Sequence, residues 1–263
     1  MERLSLLCLG KMAEFVKAPN LPVRAAELLI GNKYSIILEK PLESLGISII
    51  KVPDNPCVDK RLSGHADLSV FHMGGDKLLL APYLKGSGFE RGLESMGFKL
   101  SFADIAQCTE YPADAQLNAC VVGRHLIIRP GVSCQEIVKY FTNNGRCEVI
   151  SCRQGYARCS VCVVDESSIM TADRGIAAGA KAQGMNVLEI SPGYIALDGF
   201  SYGFIGGAAF KLEKDILAFT GTLDQHPNKD DILRFLIARN IKPVYITNDP
   251  IFDIGGALPV MEK

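Results

Sequence analysis

Residues 133–173, SCQEIVKYFTNNGRCEVISCRQGYARCSVCVVDESSIMTAD, decide the fold. They open as a short helix, with Ser133 at an N-cap position and Glu136 at capping-box spacing, and the helix stops at Asn144–Gly145. A β-type run, CEVIS (147–151), follows, then a loop, then a hairpin of small and apolar residues at 155–173. The same unit recurs on both sides. Helix stops fall at Gly46, Gly97, Gly145, Gly184 and Asn240, spaced 51, 48, 39 and 56 residues apart, and each is followed by a β-type run: ISIIKV, FKLSF, CEVIS, NVLEIS and PVYIT. Spacing of this order marks a radial or stacked array. Five pseudo-symmetric units of helix, strand and hairpin predict a five-bladed α/β propeller, with the first strand of each hairpin gathered around a central axis.

The fifth unit breaks off after one strand, DIGGALPVMEK (253–263), so the N-terminal segment ERLSLLCLG (2–10) is expected to supply its partner and close the ring. The repeats run from end to end with no Pro/Gly/Ser linker, which predicts a single domain over 1–263. Asp173 at the start and Gly184 at the end bound a second helix, and the acidic start of PNKDDILRFLIARN suits the positive end of a helix dipole.

Composition removes several classes of function. A net charge of -1 carries no electrostatic footprint for nucleic acid or an anionic membrane. No apolar stretch is long enough to span a bilayer, and LSLLCLG, preceded by Glu2, does not read as a signal peptide. Nine cysteines without a disulfide pattern predict a reducing, cytoplasmic setting. The CxxC spacing of Cys159 and Cys162 lacks a second pair, and on a strand the two sulfurs would face opposite ways, so no zinc site is expected. His65, Asp67 and His72 make a metal set only if the chain bends at 64–67. Gly203–Gly207 lacks the Lys-Ser/Thr of a phosphate loop, and no cofactor is expected.

Polar residues at the starts of the inner strands are the ones an axis would bring together. These are His65 and Asp67 in the first hairpin, Asp114 and Asn118 in the second, and Tyr156, Arg158 and Cys159 in the third. The fourth offers Asp198, Ser201 and Tyr202, and the fifth Asp253. Histidine titrates nearest neutrality and suits acid/base work. A cysteine becomes a nucleophile where its pKa is lowered, and a carboxylate suits a planar cation. Each residue also has a structural reading: a bonded loop histidine, an inert core cysteine, a turn aspartate.

The five repeats resemble the pentein fold, the α/β propeller of guanidino-group-modifying enzymes. The segments SGHADLSVFHMGGDKLLLAP, ARCSVCVVDESSIMTAD and SPGYIALDGFSYGFIGGA are similar to an uncharacterised bacterial family of that fold. The hydrolytic penteins carry an acidic LDGGD-like turn, a histidine strand and a cysteine strand, two repeats apart. Leu197–Asp198–Gly199, His65 and Cys159 stand in that cyclic order here, with a permuted starting point. The resemblance then implies Cys159 as nucleophile, His65 as acid/base and Asp198 as the residue holding a cationic substrate. Asp67, Arg158, Tyr202, Ser201 and Asn118 complete the substrate-binding set, and the partner is a small polar, cationic molecule. The implied activity is a hydrolase or amidinotransferase acting on guanidines or amidines. Phe200–Ser201 stands where the enzymes continue with Gly and an acid, and Asp253–Ala257 holds no cysteine. In an unpermuted ring the nucleophile would be lost. The protein would then be a non-catalytic pentein binding a small ligand or a protein.

Overall fold

The computed structural model describes residues 13–107 and 110–263. All five predicted helix stops take positive φ: 75° at Gly46, 93° at Gly97, 66° at Gly145, 78° at Gly184 and 55° at Asn240. Each reverses the chain out of a helix and into the strand beyond it. The strands form five small sheets on one plan, in which a hairpin's second strand runs parallel to the strand reached through a helix.

Val70–Gly74 pairs antiparallel with Lys77–Leu80, which lies parallel to Lys99–Phe102 across helix Gly88–Ser95. Cys120–Val122, His125–Ile128 and Glu148–Ser151 repeat this around helix Gln135–Thr142. Cys162–Asp165, Ser168–Thr171 and Asn186–Glu189 repeat it around Arg174–Ala182. Ala209–Glu213, Ile216–Phe219 and Lys242–Tyr245 do so around Lys229–Ile237.

The fifth sheet joins the two ends of the chain. Leu258–Glu262 pairs antiparallel with Ala25–Gly31, which is parallel to Ser48–Val52 across helix Asn32–Ser44, and Glu14–Phe15 adds at its edge. The ring therefore closes, with AAELLIG (25–31) as the closing strand; the expected segment 2–10 lies outside the described residues.

Five hydrophobic clusters fill the gaps between neighbouring sheets. Alternation along each strand explains this, because successive side chains point to opposite faces. Leu78 and Leu80 pack toward the sheet containing Leu29 and Val260, whereas Leu79 and Phe71 pack toward Val121 and Leu126. Both faces of each inner strand are thereby dry, which is why CVV is wholly apolar and VFHM carries a single polar side chain, the buried His72. The outermost strands keep exposed positions, as in the exposed–half-buried alternation of Lys99–Phe102.

Two local expectations change. Asp173 caps its helix, its carboxylate accepting from Ile176 N at 2.8 Å. Ser133 forms no capping box: its hydroxyl accepts from Arg129 N, and the Glu136 carboxylate accepts from Asp104 N and from the Cys134 thiol. Cys159 is not on a strand. Residues Ala157–Ser160 form a single helical turn leading into Cys162–Asp165, so the strand argument separating the two sulfurs does not apply.

Candidate active site at the propeller axis

Inner strands are entered through tight segments that interlock. Gly207 N donates to Cys159 O at 2.9 Å, and Gly256 N donates to Gly207 O at 3.0 Å. Asp67 N donates to Gly255 O at 3.3 Å, the Asn118 amide donates to Asp67 O at 3.5 Å, and Arg158 N donates to Asn118 O at 3.3 Å. The circuit thus passes once through every unit and returns to its start. Such close backbone approach requires glycine: a β-carbon on Gly206 would collide with the carbonyls of Arg158 and Val161, and one on Gly207 with the Asp253 carboxylate.

His65, Asp67 and Cys159 meet inside this circuit. Their potential ligand atoms lie within 4.8 Å of one another, and all three residues are buried. The Cys159 thiol donates to Asp67 Oδ2 at 2.9 Å and faces the Asn118 side-chain N–H at 3.3 Å. Asn118 Oδ1 in turn accepts from Arg158 N at 2.8 Å and Cys159 N at 3.2 Å, fixing the helical turn that carries the sulfur. His65 Nε2 and Asp67 Oδ1 have no hydrogen-bond partner among the described residues, although both are buried. Unsatisfied polar atoms of this kind are costly and mark a place where a ligand or water completes the bonding.

The charge pattern is anionic. Burial pushes the Asp67 carboxyl up to about 6, with His65, the Cys159 thiol and Arg158 pulling it back. Burial and then the charges of Asp67 and Asp253 hold the Cys159 thiol well above its ordinary range, while Asn118 lowers it. The resting sulfur is therefore a thiol. Asp253 is itself held by two backbone donors, Gly255 N and Phe204 N, each at 2.8 Å.

A pocket of about 390 Å³ opens onto this cluster, and His65, Cys159 and Asp253 lie in its wall. Tyr202 and Ser201 also line it. Asp67 and Asn118 sit beneath it, in contact with the sulfur but not in the wall. Asp198 is exposed beside the lining residue Leu197, and its charge reaches Tyr34, whose ring stands 6.0 Å from that of His65. Arg158 turns away: its Nη1 donates to Gly206 O at 2.8 Å and its Nε to Asn20 Oδ1 at 3.0 Å, so the guanidinium belongs to the ring's own framework. His72 is also elsewhere, its Nε2 against Gly75 O at 3.0 Å, beside the turn that ends its strand Val70–Gly74.

His65, Asp67 and Cys159 form a group near enough to share a metal ion. The alternative set of His65, Asp67 and His72, which required a bend at 64–67, is not such a group among the described residues.

The family follows from the match along the chain. The chain belongs to the family of unknown function DUF6873, whose model matches residues 29–258. No curated protein matches it. Among solved structures it is similar to SxtG, an amidinotransferase from Microseira wollei in the saxitoxin biosynthetic pathway, at 11% identity over 91% of this chain and 96% of that one, with a TM-score of 0.54. It is similar to the inosamine-phosphate amidinotransferase StrB1 of Streptomyces griseus at 12% identity over 94% and 97%, with a TM-score of 0.54. A substrate-bound agmatine deiminase of C. jejuni aligns at 9% identity over 95% and 97%, with a TM-score of 0.53. The fold of this DUF6873 member is thus the five-unit α/β propeller of the pentein enzymes.

Sequence reasoning left two groups of pocket residues out of the site. Asp253 was visible as the polar residue of the fifth unit, and only ring closure carries it to Cys159. Tyr156 was likewise visible at the start of the third hairpin, whereas the other rings of the aromatic wall, Tyr111 and Phe204, come from the loops of two further units and have no periodic signal. Among the described residues no helix is long and apolar enough to cross a membrane.

Proposed function

We propose that this protein modifies a guanidine or amidine through a covalent adduct on Cys159. The observation that carries the reading is that Cys159, His65 and Asp253 share one pocket wall at the axis, with Asp67 directly behind the sulfur.

A cationic head entering the pocket is attracted by Asp253, with Asp198 adding charge at the mouth. Its positive charge offsets the two carboxylates that disfavour the thiolate, so binding lowers the thiol's pKa where attack is required. The proton leaves Sγ for His65, directly or through the hydrogen-bonded Asp67 carboxylate. The thiolate then bonds to the central carbon, and the carbon–nitrogen bond breaks as His65 protonates the departing amine. Neutral His65 next takes a proton from water, whose oxygen bonds to the same carbon. The carbon–sulfur bond breaks and the thiol reforms. Net, a guanidinium and water give a ureido product and an ammonium. An amine in place of that water completes amidino transfer with the same residues.

The test compares two alkylating agents of nearly equal shape, cationic 2-chloroacetamidine and neutral 2-chloroacetamide, with peptide mapping of the modified cysteine. The expected result is preferential modification of Cys159 by the cation, slowed in His65→Ala. Uniform slow labelling of the cysteines by both reagents would overturn the enzymatic reading and leave a ligand-binding pentein.

A further inference from the structure

The wall of the pocket around the reactive cluster is aromatic and carries no lysine or arginine. Tyr111 and Tyr156 have ring centroids 5.1 Å apart, Tyr156 and Phe204 6.5 Å, and Phe204 and Tyr202 6.2 Å, so four rings follow one another in the wall. Leu62, Leu197 and Phe200 also line the pocket.

The polar atoms of this wall are mostly committed to the protein. The Tyr156 hydroxyl donates to Asp114 Oδ2 at 2.6 Å, and the Tyr111 hydroxyl donates to Gln154 Oε1 while accepting from Arg129 Nη1 and Gly155 N. Gln154 Oε1 also accepts from Tyr156 N. These tyrosines therefore present ring carbon to the pocket. At the rim, Arg61 stacks over Phe200 at 4.0 Å, pairs with Asp59 through two nitrogens and donates to Gly199 O. It is spent on the protein as well.

A substrate with a carboxylate on its tail would find no cation in this wall and would bring its charge toward Asp253 and Asp198. We propose that the substrate of this site carries its amidinium or guanidinium group on an aromatic or otherwise apolar body without a carboxylate. This rests on the reading of Cys159 and His65 given above. The head sits among Asp253, His65 and Cys159, and the body lies against the rings of Tyr156, Phe204 and Tyr202, where offset and edge contacts add to the burial of apolar surface.

Binding measured by calorimetry on a Cys159→Ala variant separates this question from turnover. Phenethylguanidine is expected to bind at least about tenfold more tightly than L-arginine or agmatine. Tyr202→Ala, at a side chain already 41% exposed, and Phe204→Ala should each erase most of that preference in protein that melts normally. Equal affinities, tighter binding of L-arginine, or no binding of phenethylguanidine would overturn the proposal. Selective labelling of Cys159 by 2-chloroacetamidine would still stand in those cases, so loss of the tail assignment is distinguishable from loss of the proposed chemistry.

Discussion

Cys159 Sγ lies 2.9 Å from Asp67 Oδ2, a contact between residues 92 positions apart in the chain. It joins the first unit to the third at the axis and makes the state of the sulfur depend on a buried carboxyl. Most of the testable consequences of the structure follow from this contact and from the circuit around it.

Asp67 ties stability to pH. Its folded pKa of about 6 lies above the ordinary 3.8, so the folded protein holds this proton more tightly than the unfolded chain does. Stability from this group is fully present below about 4, falls as pH rises to about 6, and stays lower above that, a loss on the order of 3 kcal/mol. Asp67→Asn should therefore raise Tm by several degrees at pH 8 and by little at pH 4. Parallel melting curves across pH for variant and parent would refute this.

Asn118 and Asp253 should move the thiol in opposite directions. Asp253→Asn removes a negative charge that holds the Cys159 thiol up, so neutral iodoacetamide should modify Cys159 faster at pH 8. Asn118→Ala removes the side chain that lowers it, and labelling should slow. The measurement is the pH–rate profile of Cys159 modification, and the same direction of change in both variants would contradict the assignment.

Arg158 is a framework residue. Arg158→Lys keeps the charge but loses the fork that reaches both Gly206 O and Asn20 Oδ1. Leaving the buried Gly206 O and the half-buried Asn20 Oδ1 short should cost about 1–3 kcal/mol in denaturant unfolding. Preference of Cys159 for a cationic alkylating agent should persist, whereas its loss in folded protein would place the guanidinium in ligand binding instead.

Gly206 is packed against two backbone carbonyls at the axis. Gly206→Ala pushes a methyl group into two backbone carbonyls that cannot rotate away, and overpacking of this kind costs about 1–3 kcal/mol or more. Gly92→Ala, in open space on a helix, is the control and should be neutral or stabilising. Equal stability of the two variants would show that the ring tolerates opening at Gly206.

Much of the architecture was legible because it is written in local, repeated chemistry. Gly46 and Asn240 end helices through backbone conformations their own side chains permit. Runs such as SIIKV and KPVY announce strands through residue type. Two features were misread for the same reason. Ser133 with Glu136 matched a cap by spacing, but partners from outside the helix took both side chains. Residues 157–160 looked like the start of a strand, while Asn118 from the neighbouring unit draws their N–H groups into a helical turn.

The repeat, the helix ends and the apolar inner strands, and with them a five-unit propeller, are specified along the chain, because each depends on contacts within a few residues or on a pattern counted along it. Tertiary structure alone decided that strand 25–31 closes the ring on 258–262, that Arg158 serves the framework, and that Asp253 reaches the pocket holding Cys159. These outcomes turn on which backbones approach closely enough around the axis. That depends on the packing of five separate cores at once, a quantity no single stretch of residues contains.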